Sequence, residues 1–179
     1  MVFCMYGNSD NGNGYYDCCR KKIICSGPRP LPCPAGSNGL SGIQVQLVNS
    51  AGHVIEDQAG VLFDSVINRP GLDITYNSCT GEFLLPAGKT YYISWWVAVN
   101  GTETVSFPEF AVTVEDQVIA IGTSPLVTCQ LSGTALVTNR LVPAVLSLRN
   151  VSNDRVRYGE TSVQANLVIV EVMTPQWPA

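Results

Sequence analysis

One stretch constrains the fold of this chain more than any other, the twelve residues GKTYYISWWVAV from Gly88 to Val99. Aromatic and β-branched residues dominate it and no polar face recurs at helical spacing, so it is predicted to be a long β-strand. Side chains alternate between the two sides of a strand. One side carries Tyr91, Ile93, Trp95, Val97 and Val99, and the other carries Tyr92, Ser94, Trp96 and Ala98. Because both sides are bulky, we expect one to fill a core and the other to meet a second copy of the protein.

The chain after residue 42 is predicted to be β-structure throughout. Alternating or β-branched runs recur at spacings of about 8 to 12 residues, and Gly, Pro and Asn turns separate them. Asn100-Gly101 has the composition of a hairpin turn. The predicted strands cover residues 43–48, 61–67, 74–77, 81–85, 88–99, 104–106, 110–114, 118–121, 126–131, 134–137, 144–149 and 163–172. The pattern predicts an all-β fold, an antiparallel β-sandwich of about ten strands, with a jelly roll as the leading topology.

Composition divides the chain into three predicted segments. Residues 1–42 are predicted to be a flexible N-terminal arm rich in Cys, Pro and Gly, residues 43–173 the jelly-roll domain, and residues 174–179 a C-terminal tail. Within the arm, residues 15–25 have the composition of a strand that could add to a sheet edge. Glycine recurs at every third position at 36, 39 and 42, which fits either a short collagen-like register or a Gly-rich linker.

The chain has seven cysteines, so at least one cannot pair within it. Four thiolates in the arm could bind zinc, but no C-x₂-C spacing is present, and we predict no metal. Disulfides between subunits fit a Cys-rich arm better. Cys79 and Cys129 are candidate acceptors or small buried residues. The candidates for intersubunit disulfides are Cys4, Cys18, Cys19, Cys25, Cys33, Cys79 and Cys129.

Charge and motif content exclude several function classes. The formal net charge is −4 and the pI about 4.8, which argues against nucleic-acid binding. Charged residues make up 13% of the chain, about half the usual share, and this suits a surface that is partly covered. The one histidine, His53, has no nucleophile motif beside it and is predicted to be a surface turn residue. We predict no enzymatic activity and no cofactor.

The sequence contains no apolar run of the ~18 residues needed to span a membrane. Its N-terminus has neither the basic start nor the apolar segment of a secretory signal, so membrane insertion and the general secretory route are not expected.

The residues in the middle of the chain resemble a known family. VLF at 61–63, ITY at 74–76, GEFLLPAG at 81–88 and YYISWWVAV at 91–99 are similar to the central strands of TNF-like jelly rolls, which include complement heads. LSLRNVS at 146–152 and QANLVI at 164–169 resemble the closing strands of the bacterial branch, the C-terminal domains of collagen-like exosporium glycoproteins (BclA) on spores.

The resemblance implies a ten-stranded jelly roll that trimerises through an apolar face and has a structural role on a surface. Deposition on the spore from the mother cell would fit the lack of a signal peptide. The collagen region is nearly absent, which shifts the expectation toward a spore-appendage fibre. Residues expected in the core or oligomer interface are Tyr91, Tyr92, Trp95, Trp96, Phe110, Leu167 and Ile169.

Two functions remain in view. The first is a self-assembling subunit of an extracellular or spore-surface fibre or layer, cross-linked by disulfides of its arm, whose partners are itself and other spore-surface proteins. The second is the trimeric head of an adhesin or phage fibre that binds carbohydrate or a receptor. In that case Tyr92, Trp95 and Trp96 would stack on sugar rings.

Overall fold

The computed structural model describes residues 41–104 and 107–172 together with the backbone of two short strands, Tyr15–Tyr16 (β1) and Lys22–Ile23 (β2). These two strands pair in antiparallel register, with Tyr15 opposite Ile23. The chain divides into two units, Met1–Gly39 and Leu40–Ala179. The rest of the predicted arm, including its five cysteines, and the predicted tail lie outside the described residues.

Residues 41–172, called the head below, contain a further set of strands. No helix that is long and apolar enough to cross a membrane is found in the described part of the chain. The strands are β3 (Gly42–Leu47), β4 (Val54–Ile55), β5 (Ser65–Asn68), β6 (Thr75–Asn77), β7 (Glu82–Leu85), β8 (Lys89–Thr102), β9 (Glu109–Val114), β10 (Gln117–Thr123), β11 (Thr128–Asn139), β12 (Ala144–Asn150), β13 (Val156–Tyr158) and β14 (Ala165–Val172).

Two sheets form a sandwich. The five-stranded sheet has the order β10-β9-β12-β7-β6, and the seven-stranded sheet has the order β4-β13-β8-β14-β3-β5, with β11 on the other side of β8. Strand pairs in both sheets are antiparallel. The prediction of an antiparallel β-sandwich is confirmed, and the predicted long strand, β8, lies between β11 and β14.

The core lies between the sheets and centres on Trp95, whose side chain is fully buried. A Cβ atom at Gly133 would stand 2.7 Å from Trp95 Cζ2, and one at Gly122 would stand 2.5 Å from Cη2, so only glycine fits at either position. The indole therefore packs directly on the backbones of β10 and β11. This close approach requires glycine inside two strands, where its lack of a side chain is otherwise unfavourable.

The structure corrects several predicted elements. The sequence predicts two strands at 126–131 and 134–137, but β11 is one strand of 12 residues because Gly133 serves the Trp95 contact and not a turn. Asn100-Gly101 is not a hairpin turn. These two residues of β8 lie opposite the single residue Arg157 of β13, which is a β-bulge, and Gly101 has a φ of 109°.

Other strand boundaries also differ from the prediction. The strand predicted over 61–67 is reduced to β5, although Val61 and Phe63 are buried in the core. The sequence pattern does not predict the short strands β4 and β13. Of the strand predicted at 104–106, Thr104 lies in a bend and residues 105–106 are outside the described residues.

Candidate self-association surface

The outer surface of the seven-stranded sheet carries no charge on four of its strands, β3, β14, β8 and β11, and is called the uncharged face below. The inner side of these strands is fixed by the buried residues that alternate with the outward ones. The outward-facing residues are Gly42, Gln44, Gln46, Thr90, Tyr92, Ser94, Trp96, Ala98, Asn100, Thr128, Gln130, Ser132, Thr134, Leu136, Thr138, Asn166, Val168, Val170 and Val172.

One part of the uncharged face is apolar. Val170 of β14 lies opposite Tyr92 of β8, and Tyr92 lies opposite Leu136 of β11, so the three form a row across the sheet. Val168 and Val172 flank Val170 along β14. Tyr92 is 41% exposed and Leu136 is 67% exposed. A row of large apolar side chains with no ionic neighbour leaves area whose burial against a partner would be favourable.

The other part of the uncharged face holds a group of three amides, Gln44, Gln46 and Asn166, called the amide cluster below. Gln44 Nε2 donates to Asn166 Oδ1 at 3.0 Å, and Gln46 Nε2 donates to the same oxygen at 3.3 Å. Asn166 is only 9% exposed although it points away from the core. Its β8 neighbour is Trp96, which is half-buried.

A second apolar surface lies where the two sheets approach each other at β10 and β11. Each strand has a partner on one side only, β9 for β10 and β8 for β11, so each has a free edge among the described residues. This β10–β11 edge, with the loop between the strands, exposes Val118, Ile119, Ile121, Leu126 and Val127. Free strand edges with apolar side chains are surfaces that proteins usually cover or protect.

The structure separates the residues predicted for the core or interface into two groups. Trp96 and Tyr92 lie on the uncharged face. The others are fully buried between the sheets: Tyr91, Trp95, Phe110, Leu167 and Ile169. The Tyr91 hydroxyl donates to the carbonyl of Pro86 at 3.2 Å, and burial raises the pKa of Tyr91 to about 12.

Sequence reasoning misses Val168, Val170 and the amide cluster as site residues. The signal for the valines is present in the sequence, since the last strand is apolar on both sides. The amide cluster cannot be found from the sequence because Gln44 and Asn166 are 122 positions apart.

An ion pair borders the uncharged face at the end where the head begins and finishes. Lys89 Nζ lies 2.8 Å from Asp73 Oδ2 and 2.7 Å from Glu171 Oε2. The hydrogen bonds to these two carboxylates hold the pKa of Lys89 above its usual range. Lys89, the first residue of β8, and Glu171 of β14 thus form two ion pairs with a net charge of −1, counting Asp73, beside the face.

The described cysteines are not paired. Cys79 is exposed in the turn before β7, and its backbone N–H donates to Asn77 Oδ1 at 3.0 Å. Cys129 is half-buried on β11 opposite Val99. Neither forms a disulfide, and their bonding to another subunit stays a prediction. His53 is exposed in a turn. Residues 41–104 and 107–172 contain no group of three or more His, Cys, Asp or Glu that could hold a metal ion.

Comparison with known proteins gives matches to solved structures only. No protein-family model and no curated protein matches the chain. The chain is similar to Eiger TNF from S. frugiperda at 11% identity, over 79% of this chain and 98% of that one, with a TM-score of 0.59. Murine APRIL matches at 9% identity over 74% and 99%, with a TM-score of 0.55. The globular domain of zebrafish complement 1qA matches at 15% identity over 75% and 97%, with a TM-score of 0.54.

The chain has the TNF-like jelly-roll fold. The part of the predicted resemblance that concerns the fold is therefore confirmed, and the similarity spans nearly the whole length of each matched structure. The likeness at these identities is one of fold alone. The uncharged face belongs to the sheet of this fold that holds β8.

Proposed function

We propose that this chain is a non-enzymatic structural protein that assembles with copies of itself. The observation that carries the proposal is the uncharged face. This surface extends over four neighbouring strands, exposes Tyr92 and Leu136, and has no ionic side chain. Such a surface is unusual for a monomeric protein in water. Apolar burial would be the main driving force for its association.

The β10–β11 edge supplies a surface that could cover the uncharged face of a second copy. The two surfaces are different parts of one chain, so the contact would be heterologous, and a heterologous contact closes into a ring when its rotation allows. The TNF-like resemblance implies that the ring is a trimer. The uncharged face would then receive Val118, Ile121 and their neighbours from the adjacent copy.

The arm would extend this assembly into a fibre or layer. Five cysteines lie in its first 33 residues, and an arm that reaches a neighbouring ring could form disulfides there. Such bonds persist in oxidising surroundings, which fits a protein outside the cell or on a spore surface. Exposed Cys79 is the described thiol best placed to accept one. The bacterial exosporium resemblance supports this location.

A second candidate function is the binding of carbohydrate or a receptor by a trimeric head. Tyr92 and Trp96 favour it, because both lie on one outer surface and sugar rings stack on such side chains. Trp95 cannot take part because it is buried in the core. The two functions compete for the same residues, since a face covered by another copy is closed to a glycan.

The test measures the mass of the full chain by light scattering over a range of concentrations, with and without a reducing agent. Val168→Asp places a charge at a half-buried position of the uncharged face. Val145→Asp does the same at a half-buried position on the outer surface of the five-stranded sheet. We expect Val168→Asp to weaken association about 100-fold, because an unpaired charge would be buried, and Val145→Asp to leave association unchanged.

A chain that is monomeric at all concentrations would overturn the proposal. Equal effects of the two aspartates would place the contact elsewhere. Masses that drop to single rings only after reduction would support the cross-linking arm. Glycan binding by the monomer, lost in Trp96→Ala, would instead favour the binding-head function.

A further inference from the structure

Asn166, in the amide cluster, is a buried polar side chain of the uncharged face that forms only part of its possible hydrogen bonds within the described residues of the head. Asn166 Oδ1 accepts two hydrogen bonds, which uses both of its lone pairs. Asn166 Nδ2 has no acceptor among the described residues. The carbonyl oxygens Gln44 Oε1 and Gln46 Oε1 have no donor there either. The cluster can thus both donate hydrogen bonds to, and accept them from, a group that does not belong to the head.

A second asparagine in the head shows what full bonding looks like. Asn150 is completely buried, and its Nδ2 lies 2.8 Å from the carbonyl oxygen of Asp154 and within 3.2 Å of the carbonyls of Ile55 and Glu56. Its Oδ1 accepts from Ser152 N and Oγ. Both polar atoms of the Asn150 amide are thus hydrogen-bonded inside the head. Asn166 is almost as well covered but keeps half of its amide unbonded, which is costly if the face is then closed by an apolar surface.

We infer that the amide cluster is a specificity element that sets the position of a second copy on the uncharged face. This inference rests on the proposed self-association. The apolar row of Val170, Tyr92 and Leu136 supplies attraction but little positional information. The amide cluster penalises every position in which its donors and acceptors face apolar atoms. Only a position of the second copy in which the donors and acceptors of the cluster are hydrogen-bonded avoids this cost in binding free energy.

The β10–β11 edge has the chemistry to satisfy the cluster. A free strand edge presents backbone N–H and C=O groups in one row. A side-chain amide offers the same pair of groups, a donor and an acceptor, and can therefore bond to such a row. An anionic partner would accept from Asn166 Nδ2 but repel Gln44 Oε1, and a cationic partner would do the opposite, so neither matches the whole cluster. A second copy of this chain is thus the occupant that the cluster fits.

Two substitutions test the inference in the full chain. Asn166→Leu replaces the amide with an apolar group of similar size. Asn166→Asp keeps the shape and the oxygen that both glutamines use, but replaces the outward donor with an anionic acceptor. The control is Thr75→Val, a polar-to-apolar change at an exposed strand position of the five-stranded sheet. Circular dichroism verifies that each variant is folded, and native mass spectrometry gives the distribution of subunit numbers.

We expect the unmodified chain and Thr75→Val to show one subunit number. Asn166→Leu should show several, because apolar attraction is retained while the penalty on wrong positions is lost. Asn166→Asp should keep the subunit number but associate about tenfold more weakly, since the outward donor would be lost. Retention of one subunit number and unchanged affinity in both variants would overturn the inference and leave the proposed function standing. A monomeric unmodified chain would overturn both.

Discussion

The outer surface of the five-stranded sheet and the uncharged face of the seven-stranded sheet deal with polar groups in opposite ways. On the five-stranded sheet, Ser147 Oγ lies 2.8 Å from both Thr113 Oγ1 and Arg149 Nε. Arg149 Nη2 lies 2.7 Å from Asp116 Oδ1. These groups satisfy one another and end in a solvated ion pair. In the amide cluster on the uncharged face, Asn166 Oδ1 is bonded, but Asn166 Nδ2 and the two glutamine oxygens have no partner among the described residues of the head. The polar side chains Thr113, Ser147 and Arg149 are thus bonded within the head, whereas the amide cluster keeps donors and acceptors for the proposed second copy.

The largest expected effect comes from two adjacent tryptophans of β8 that belong to different surfaces. Trp95→Ala should lower the free energy of unfolding by about 4 kcal/mol, because it empties the space between β10 and β11. Trp96→Ala should lower it by about 1 kcal/mol or less but weaken self-association about 30-fold, as expected of an interface tryptophan. Urea denaturation of dilute protein and light scattering measure the two quantities.

If Trp96→Ala destabilised the monomer as much as Trp95→Ala does, the two tryptophans would not belong to different surfaces. Trp96→Phe is the conservative control and should recover most of the association, since it restores an aromatic ring at the same position.

High pH should act on the inner faces of both sheets alike. The five-stranded sheet half-buries Tyr76, which donates to the carbonyl of Phe63, and the seven-stranded sheet buries Tyr91. Burial raises the pKa of each tyrosine to about 12. Both ionise near pH 10 in an unfolded chain, so their contribution to stability is complete below about pH 10 and is lost as pH rises toward 12.

We expect ionisation of the two tyrosines to lower the free energy of unfolding by about 1 to 2 kcal/mol per pH unit between pH 10 and 12. This is less than two fully buried tyrosines would give, because Tyr76 keeps some contact with water. Urea denaturation at pH 9 to 12, followed with tyrosinate absorbance, measures it. Tyr91→Phe should flatten the slope, and stability that stays constant to pH 12 would contradict the prediction.

Arg149→Leu should have a smaller effect that is confined to one surface. The loss of the Ser147 and Asp116 contacts should lower the free energy of unfolding by about 1 kcal/mol, since Asp116 is largely in solvent. Association should not change. A loss of association would show that the five-stranded sheet also takes part in the contact, whereas Arg149→Lys should retain part of the stability.

Salt should have the smallest effect. Because the uncharged face holds no ionic side chain, the association constant should change by less than about threefold between 0.1 and 1 M NaCl, conditions that screen surface charge strongly. Sedimentation equilibrium at several salt concentrations measures this. Association that weakens steeply with salt would mean that charged residues outside the face carry the contact.

The strand content and the two sides of β8 can be predicted from the sequence, because alternation is a local property. Alternation alone places Tyr92 and Trp96 together on the side opposite Trp95, and the structure has them on the uncharged face. Gly133 misleads the prediction, since glycine within a strand and glycine in a turn look the same in a sequence. Only the position of Trp95, 38 residues away, explains it.

The amide cluster and the place of β11 beside β8 depend on pairing between distant strands. Nothing near Asn166 in the sequence indicates that it lies between Gln46 and Trp96. Asn100-Gly101 illustrates the same limit, because its strong turn composition is overridden by ladders to β11 and β13 on the two sides of β8. The function of the arm cysteines stays a prediction.

The strands that open and close the head, β3 and β14, are paired neighbours, and this determines how the head responds to tension. Gly42 lies opposite Val170, so the polypeptide enters and leaves the head at one end of two neighbouring antiparallel strands. Tension applied between residues 41 and 172 would act at one end of this ladder, so its hydrogen bonds, which run perpendicular to the strands, would break one after another. If the proposed fibre carries load, contacts between neighbouring heads would therefore bear tension better than the polypeptide that enters and leaves each head.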